Sequence, residues 1–168
     1  LAVLASGMIA QGPVTAAFEG EFAAYCGVPH AVAVSNGTTA LHAALLAAGV
    51  GPGDEVIVPA FTFFATASAV SMCGAVPVFA DIDAATATIE PADALIKVTE
   101  KTKAVIAVHL YGQPCDAAVV NKICDARDLI FIEDAAQAHG ATYQGKKTGS
   151  LGDLACFSFY ATKNLATG

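Results

Sequence analysis

Residues 56–83 read VIVPAFTFFATASAVSMCGAVPVFADID, and how this stretch is divided decides the fold. It carries no charge from Val56 to Ala80, enough residues on paper to cross a bilayer. Pro59 and Pro77 stand near its ends, Gly74 interrupts it, and Thr62, Thr66, Ser68 and Ser71 are scattered through it. These breakers cut the stretch into VIVP, TFFATASAVSMCG and VPVFADID. The pieces read as strand, helix and strand, the interior of an α/β protein, and not as the unbroken apolar run that a spanning helix requires. A second uncharged stretch, Ala23 to Gly53, is interrupted by the turn chemistry of Asn36, Gly37, Thr38 and Thr39. The first residues carry no basic segment of a secretory signal. A soluble, cytoplasmic protein is expected.

Working outward, apolar runs predict strands at His30–Val34, Val56–Val58, Val76–Phe79, Ala104–His109, Leu129–Ile132 and Ala155–Phe159. Helices are predicted at Val14–Tyr25, Thr39–Ala48, Thr66–Cys73, Pro91–Val98 and Asp116–Arg127. Leu41, Ala44, Leu45 and Ala48 form one helical stripe, and Pro91 suits a first turn. In the earliest helix, Phe18 and Phe22 lie four apart, with Glu19 and Glu21 expected to face outward. Strands alternating with helices indicate βαβ crossovers, giving a three-layer α/β/α architecture around a mostly parallel sheet. Runs such as VIV and LIFI, with no polar alternation, fit strands covered on both faces.

The whole chain is 168 residues, 55% hydrophobic and only 14% charged, with about a fifth of it alanine. That excludes disorder, which needs low hydrophobicity and high net charge. A net charge of −7 with thinly spread Lys and Arg argues against a basic nucleic-acid-binding face. Cys26, Cys73, Cys115, Cys124 and Cys156 form neither a CxxC nor a metal-type spacing, so buried reduced thiols are expected and no metal site. The chain lacks an initiator Met and stops five residues past Lys163. This raises the expectation of part of a longer protein, with much of the missing charge elsewhere.

In parallel sheets ligands bind beyond the carboxyl ends of the strands. After Ala31–Val34 comes Ser35-Asn36-Gly37-Thr38-Thr39, opening a helix. It reads either as an ordinary N-cap or as an anion cradle of free amides, a positive helix end and hydroxyls. Gly49–Gly53 precedes a strand instead of following one, and Pro52 removes an amide, so this glycine cluster is a turn and not a nucleotide loop. Phe61, Phe63 and Phe64 follow Val56–Val58 as either core or a flat face for a ring. Glu133 and Asp134 close the LIFI strand, where a carboxylate is costly unless it meets a cation, a metal or several donors. His139 is read as a satisfied structural histidine. Lys163 is the only charged residue after Asp153, and a lysine among apolar neighbours can serve as a nucleophilic amine. Anion cradle, aromatic face, buried carboxylate and isolated lysine together meet the needs of pyridoxal phosphate.

The segments GMIAQGPVTAAFEGEFAAYCGV, VAVSNGTTALHAAL, GPGDEVIVPAFTFFAT, AVIAVHLYGQPCD, LIFIEDAAQAHGA and FSFYATKN, in this order, resemble the DegT/StrS family of sugar-nucleotide aminotransferases. The resemblance covers essentially the whole chain. It implies a fold-type-I pyridoxal-phosphate enzyme, with residues 1–168 as a truncated large domain and a carboxyl-terminal small domain lying outside this sequence. By that resemblance Gly37, Thr38 and Thr39 would hold the cofactor phosphate, helped by Ser158. Phe63 would stack on the pyridine ring with Ala136 on its other face. Asp134 would pair with the ring nitrogen, Gln137 would bond the phenolic oxygen, and Lys163 would form the Schiff base and shuttle protons. A dehydratase branch carries histidine at the lysine position, so Lys163 favours transamination. The implied substrates are a nucleotide-linked keto-sugar and an amino acid donor, glutamate or glutamine. The implied assembly is a homodimer with shared active sites. The same cofactor residues would serve another fold-type-I activity, such as a lyase, aldolase or desulfurase. A non-catalytic sensor or scaffold of this fold is the remaining alternative.

Overall fold

Strands β1 (Glu55–Pro59), β2 (Val76–Ala80), β3 (Thr102–Val108), β4 (Ile130–Asp134) and β7 (Leu154–Cys156) form one sheet in the order β2-β1-β3-β4-β7. Every neighbouring pair in it is parallel. These strands come from a computed structural model, which describes residues 1–167. Two short strands, β5 (Thr142–Tyr143) and β6 (Lys146–Lys147), pair antiparallel in a separate hairpin. The helices are α1 (Ala2–Ser6), α2 (Pro13–Cys26), α3 (Gly37–Ala47), α4 (Ala65–Met72), α5 (Pro91–Ile96) and α6 (Ala117–Arg127).

The uncharged stretch divides as its breakers dictate, into β1, α4 and β2. No helix among the described residues is long and apolar enough to cross a membrane. The sheet is covered on both faces, and strand alternation sorts its residues between two cores. Val56, Val58, Ala104, Ile106 and Ile132 pack with Leu41 and Leu45 of α3 and Ala69 and Val70 of α4. Ile57, Val105, Ala107 and Phe131 face the other way, onto Ala94 of α5 and Ala117, Val120 and Cys124 of α6. This is why VIV and LIFI show no polar alternation: neither face meets water. Full burial of each such side chain stabilises the fold by about 1.5–3 kcal/mol. Along β4 the same alternation turns Phe131 and Glu133 toward the α5/α6 side and Ile132 and Asp134 toward the α3/α4 side.

Three expectations need correction. The His30–Val34 run forms no strand. It has no ladder partner among the described residues; the Ala33 amide donates instead to Glu19 Oε1 (2.8 Å), and Val32 and Val34 are exposed. Glu19 therefore turns toward the chain and not outward. The Ala155–Phe159 run stays in the sheet only to Cys156. Beyond it, Phe157 and Phe159 leave the ladder to meet the aromatic face of α2, at 4.9 Å and 5.2 Å from Phe22 in edge-to-face contact.

Candidate active site

The carboxyl ends of β3, β4 and β7 lie side by side, with Val108 paired to Asp134 and Asp134 to Cys156. The chain leaving β3 makes a tight turn at Leu110–Gly112, in which Tyr111 takes the left-handed conformation (φ 55°). The chain leaving β7 runs through Ser158 to Lys163, whose amide closes a turn on the Tyr160 carbonyl (2.8 Å). Tyr111, Gln137, Thr162, Lys163 and Asn164 line a cavity of about 360 Å³ between these turns. Gln137 Oε1 accepts from the Tyr111 amide (2.8 Å), which leaves its side-chain nitrogen as the group able to donate to a ligand.

Glu133 and Asp134 are adjacent, buried carboxylates in opposite states of completion. An ionised carboxylate offers about four lone-pair sites. Glu133 fills all of them, accepting from His109 Nε2 (2.9 Å), Gly149 N (2.9 Å), Leu151 N (2.7 Å) and Gly152 N (2.9 Å). The Cys115 amide donates to His109 Nδ1 (3.2 Å), so that nitrogen bears no proton and the neutral ring donates from Nε2. Burial pushes the Glu133 carboxyl up, but the His109 bond and the loop amides outweigh it and hold it below the usual range. A Cβ on Gly152 would lie 2.8 Å from the Phe131 carbonyl oxygen, so only glycine lets this loop approach the strand.

Asp134 is half finished. Its Oδ2 accepts from Thr66 Oγ1 of α4 (3.0 Å) and its Oδ1 from the Ala136 amide (3.2 Å). No cationic side chain among the described residues lies within salt-bridge distance of it. Burial raises its carboxyl above the ordinary value, against the opposing pull of the Ala136 and Thr66 bonds. A buried carboxylate with unfilled acceptor sites and no counter-charge fits a protonated ring nitrogen.

At the start of α3, Asn36 Oδ1 caps the helix by accepting from Thr39 N (2.8 Å) and Thr39 Oγ1 (3.1 Å). The expected anion cradle is thus narrower than its sequence: the amide and hydroxyl of Thr39 are committed, and Gly37 and Thr38 carry the amides that no intrahelical carbonyl can reach. Ser158 is brought against this end, since a Cβ on Gly37 would sit 3.0 Å from Ser158 Cβ. Phe63 is 60% exposed, and Phe61 and Phe64 are exposed too, so the core reading of this aromatic run falls away. His139 departs from expectation: neither ring nitrogen has a hydrogen-bond partner. Its ring packs instead against Phe157 and Phe159, with centroids 5.2 Å and 5.1 Å away. Burial and then the Lys163 charge lower its pKa, favouring the neutral ring.

The family model of the DegT/DnrJ/EryC1/StrS aminotransferase family matches residues 1–168. The chain belongs to this family. GDP-perosamine synthase of Caulobacter vibrioides is 54% identical over 151 residues, covering 90% of this chain and 41% of that protein. The crystal structure of DesV from S. venezuelae, in complex with a ketimine intermediate, superposes with a TM-score of 0.93 at 43% identity, covering 99% of this chain and 46% of that one. A Streptococcus pneumoniae protein described as a sugar aminotransferase, solved in its PLP form, gives a TM-score of 0.94 at 37% identity and covers 98% of this chain and 45% of its own. The chain thus spans less than half the length of these relatives. Against the family frame, sequence reasoning missed Thr66, His109 and Tyr111 as parts of the site's support, while Asn36 caps α3 within the stretch read as a helix cap. Thr66 carried a usable signal, a hydroxyl four residues after that of Thr62 in the otherwise apolar segment that follows a buried strand. Tyr111 acts through its backbone amide, and the His109 ring bonds Glu133 from 24 positions away, so neither role is announced by residue type.

Proposed function

We propose that residues 1–168 are the cofactor-binding part of a pyridoxal-phosphate-dependent aminotransferase that transfers an amino group from glutamate or glutamine to a nucleotide-linked keto-sugar. The observation that carries this reading is the buried, counter-charge-free carboxylate of Asp134, set at the same strand ends as the cavity lined by Lys163 and Gln137. Membership of an aminotransferase family and relatives named as sugar aminotransferases support it.

When bound, pyridoxal phosphate supplies an aldehyde that captures amines and a protonated ring that accepts the electron pair left behind by a departing proton. Lys163 Nζ would hold the aldehyde end and, once released, carry the proton taken from the donor's Cα to the aldehyde carbon. Asp134 would keep the ring nitrogen protonated. Gln137, its oxygen occupied by Tyr111, would donate to the phenolic oxygen. Gly37, Thr38 and Ser158 would hold the phosphate, with Thr39 shaping the helix start through Asn36. Phe63 and Ala136 would cover the two ring faces. The exposed aromatics around the site and the five buried free thiols are consistent with a cytoplasmic homodimer that shares its active sites.

Lys163→Ala in the intact protein tests the assignment. The expected result is loss of amino transfer to nucleotide keto-sugars together with loss of the cofactor's visible absorbance band. An unchanged band in that variant would sink the reading.

A further inference from the structure

Asp134 does not stand alone: Thr66, fully buried in the first turn of α4, reaches across 68 positions of sequence to donate to Oδ2 at 3.0 Å. A hydroxyl has one proton, and an ionised carboxylate can only accept, so Thr66 spends its proton on Asp134. The Thr62 hydroxyl lies 2.9 Å from Thr66 Oγ1 and must therefore be the donor of that second bond. The two threonines form a polarised chain, Thr62 to Thr66 to Asp134, whose direction is the one that favours the anion. Thr66 is also tied to the turn that carries the aromatic, its amide donating to the Phe63 carbonyl at 3.1 Å. One side chain thus joins the carboxylate on β4 to the turn bearing Phe63.

From this geometry we propose that Thr66, backed by Thr62, is a positioning residue for Asp134: it fixes the carboxylate's rotation, favours its ionised form and sets its register against Phe63. The inference rests on the reading of Asp134 as partner of the cofactor's ring nitrogen. With Oδ1 held by the Ala136 amide and Oδ2 by Thr66, each oxygen keeps an open lone pair, and the plane of the group is fixed before any cofactor arrives. A hydrogen bond to a charged group is on the scale of about tenfold in an equilibrium.

The test compares Thr66→Val, Thr66→Ser, Thr62→Val and Asp134→Asn in the intact protein. It measures the Kd for pyridoxal phosphate and the pH dependence of the bound cofactor's visible band. Thr66→Val is expected to weaken binding about tenfold and displace the band's titration by about one pH unit, while Thr66→Ser, which keeps the hydroxyl, stays near wild type. A purely structural role would lower thermal stability and leave the band's titration where it was. Thr62→Val, which leaves Thr66 in place, should move the titration in the same direction by less, and it decides the matter where Thr66→Val does not fold. Wild-type Kd and titration in the threonine variants, with both altered in Asp134→Asn, overturn the positioning role and leave the site reading standing. If Asp134→Asn also leaves both unchanged, the site reading itself is lost.

Discussion

Glu133→Gln keeps the shape of the side chain and removes only its charge and one acceptor oxygen, which makes it a sharp test of the clamp at the end of β4. Glu133 is fully buried and accepts four hydrogen bonds, two on each oxygen. Glutamine presents one oxygen and one amide nitrogen, so two of the four donors must face another donor. If the nitrogen turns toward Oε2's partners, it meets the Gly149 amide and His109. His109 cannot adapt, because its Nδ1 already accepts from Cys115 and its only proton is on Nε2. If the nitrogen turns the other way, it meets the Leu151 and Gly152 amides, which cannot change their polarity at all. Either way two donors go unsatisfied, at about 1–3 kcal/mol each, giving an expected loss of about 2–6 kcal/mol. Against a total stability of about 5–15 kcal/mol this is a large fraction. Urea unfolding followed by circular dichroism should show the midpoint falling with little change in slope. The loss should also depend on pH. The folded-state pKa of Glu133 is lowered, so its stabilisation is present above the unfolded value of about 4.3 and fades as pH falls through the folded one. The gap between wild type and variant should therefore narrow below about pH 4. A loss under about 1 kcal/mol at neutral pH would refute the reasoning, because it would mean the four bonds are replaceable by water.

Two further outcomes follow from the same geometry. Asp134→Asn should raise the thermal midpoint of the cofactor-free protein at neutral pH. The raised pKa means that ionised Asp134 opposes folding above its unfolded value, and asparagine can keep the Ala136 bond while Thr66 turns to accept from its amide; a lowered midpoint counts against it. Gly37→Ala should weaken binding of pyridoxal phosphate with little effect on the unfolding midpoint, because the added methyl presses on Ser158 at the helix start and not on the core; fluorescence titration measures the first, and an unaltered Kd speaks against a phosphate seat there.

The fold was legible where burial alone decides structure. VIVP and LIFI are strands because both sheet faces are dry there, and VPVF is the edge strand, with Val76 and Phe79 half exposed but proline and glycine still marking its start. His30–Val34 is similarly apolar but has no ladder partner among the described residues, and strand identity belongs to the pair, not to the segment. Lys163 and Asp134 stood out as charges in apolar surroundings. The support around them did not, because it depends on contacts at long separation: Thr66 with Asp134, Glu19 with Ala33, His109 with Glu133. Thr39 was legible as part of a helix start, but residue type alone does not say that Asn36 takes its amide.

The adjacency of Glu133 and Asp134 shows how one strand end provides both anchorage and reactivity. A strand alternates its side chains, so neighbours must serve opposite faces. On one face the loop from Gly149 to Gly152 and the fixed tautomer of His109 saturate Glu133, whose charge then has no further demand. On the other face two donors serve four sites, and Asp134 keeps acceptor capacity and an unmet need for positive charge. Sliding β4 by one residue would exchange the two faces and destroy both roles together. The ladder forbids it from both sides, because Glu133 is registered against Ala107 on β3 and Ala155 on β7. The completed carboxylate is thus part of what keeps the incomplete one aimed: its clamp on the loop entering β7 holds the strand against which Asp134 is registered, and from which the chain runs on to Lys163.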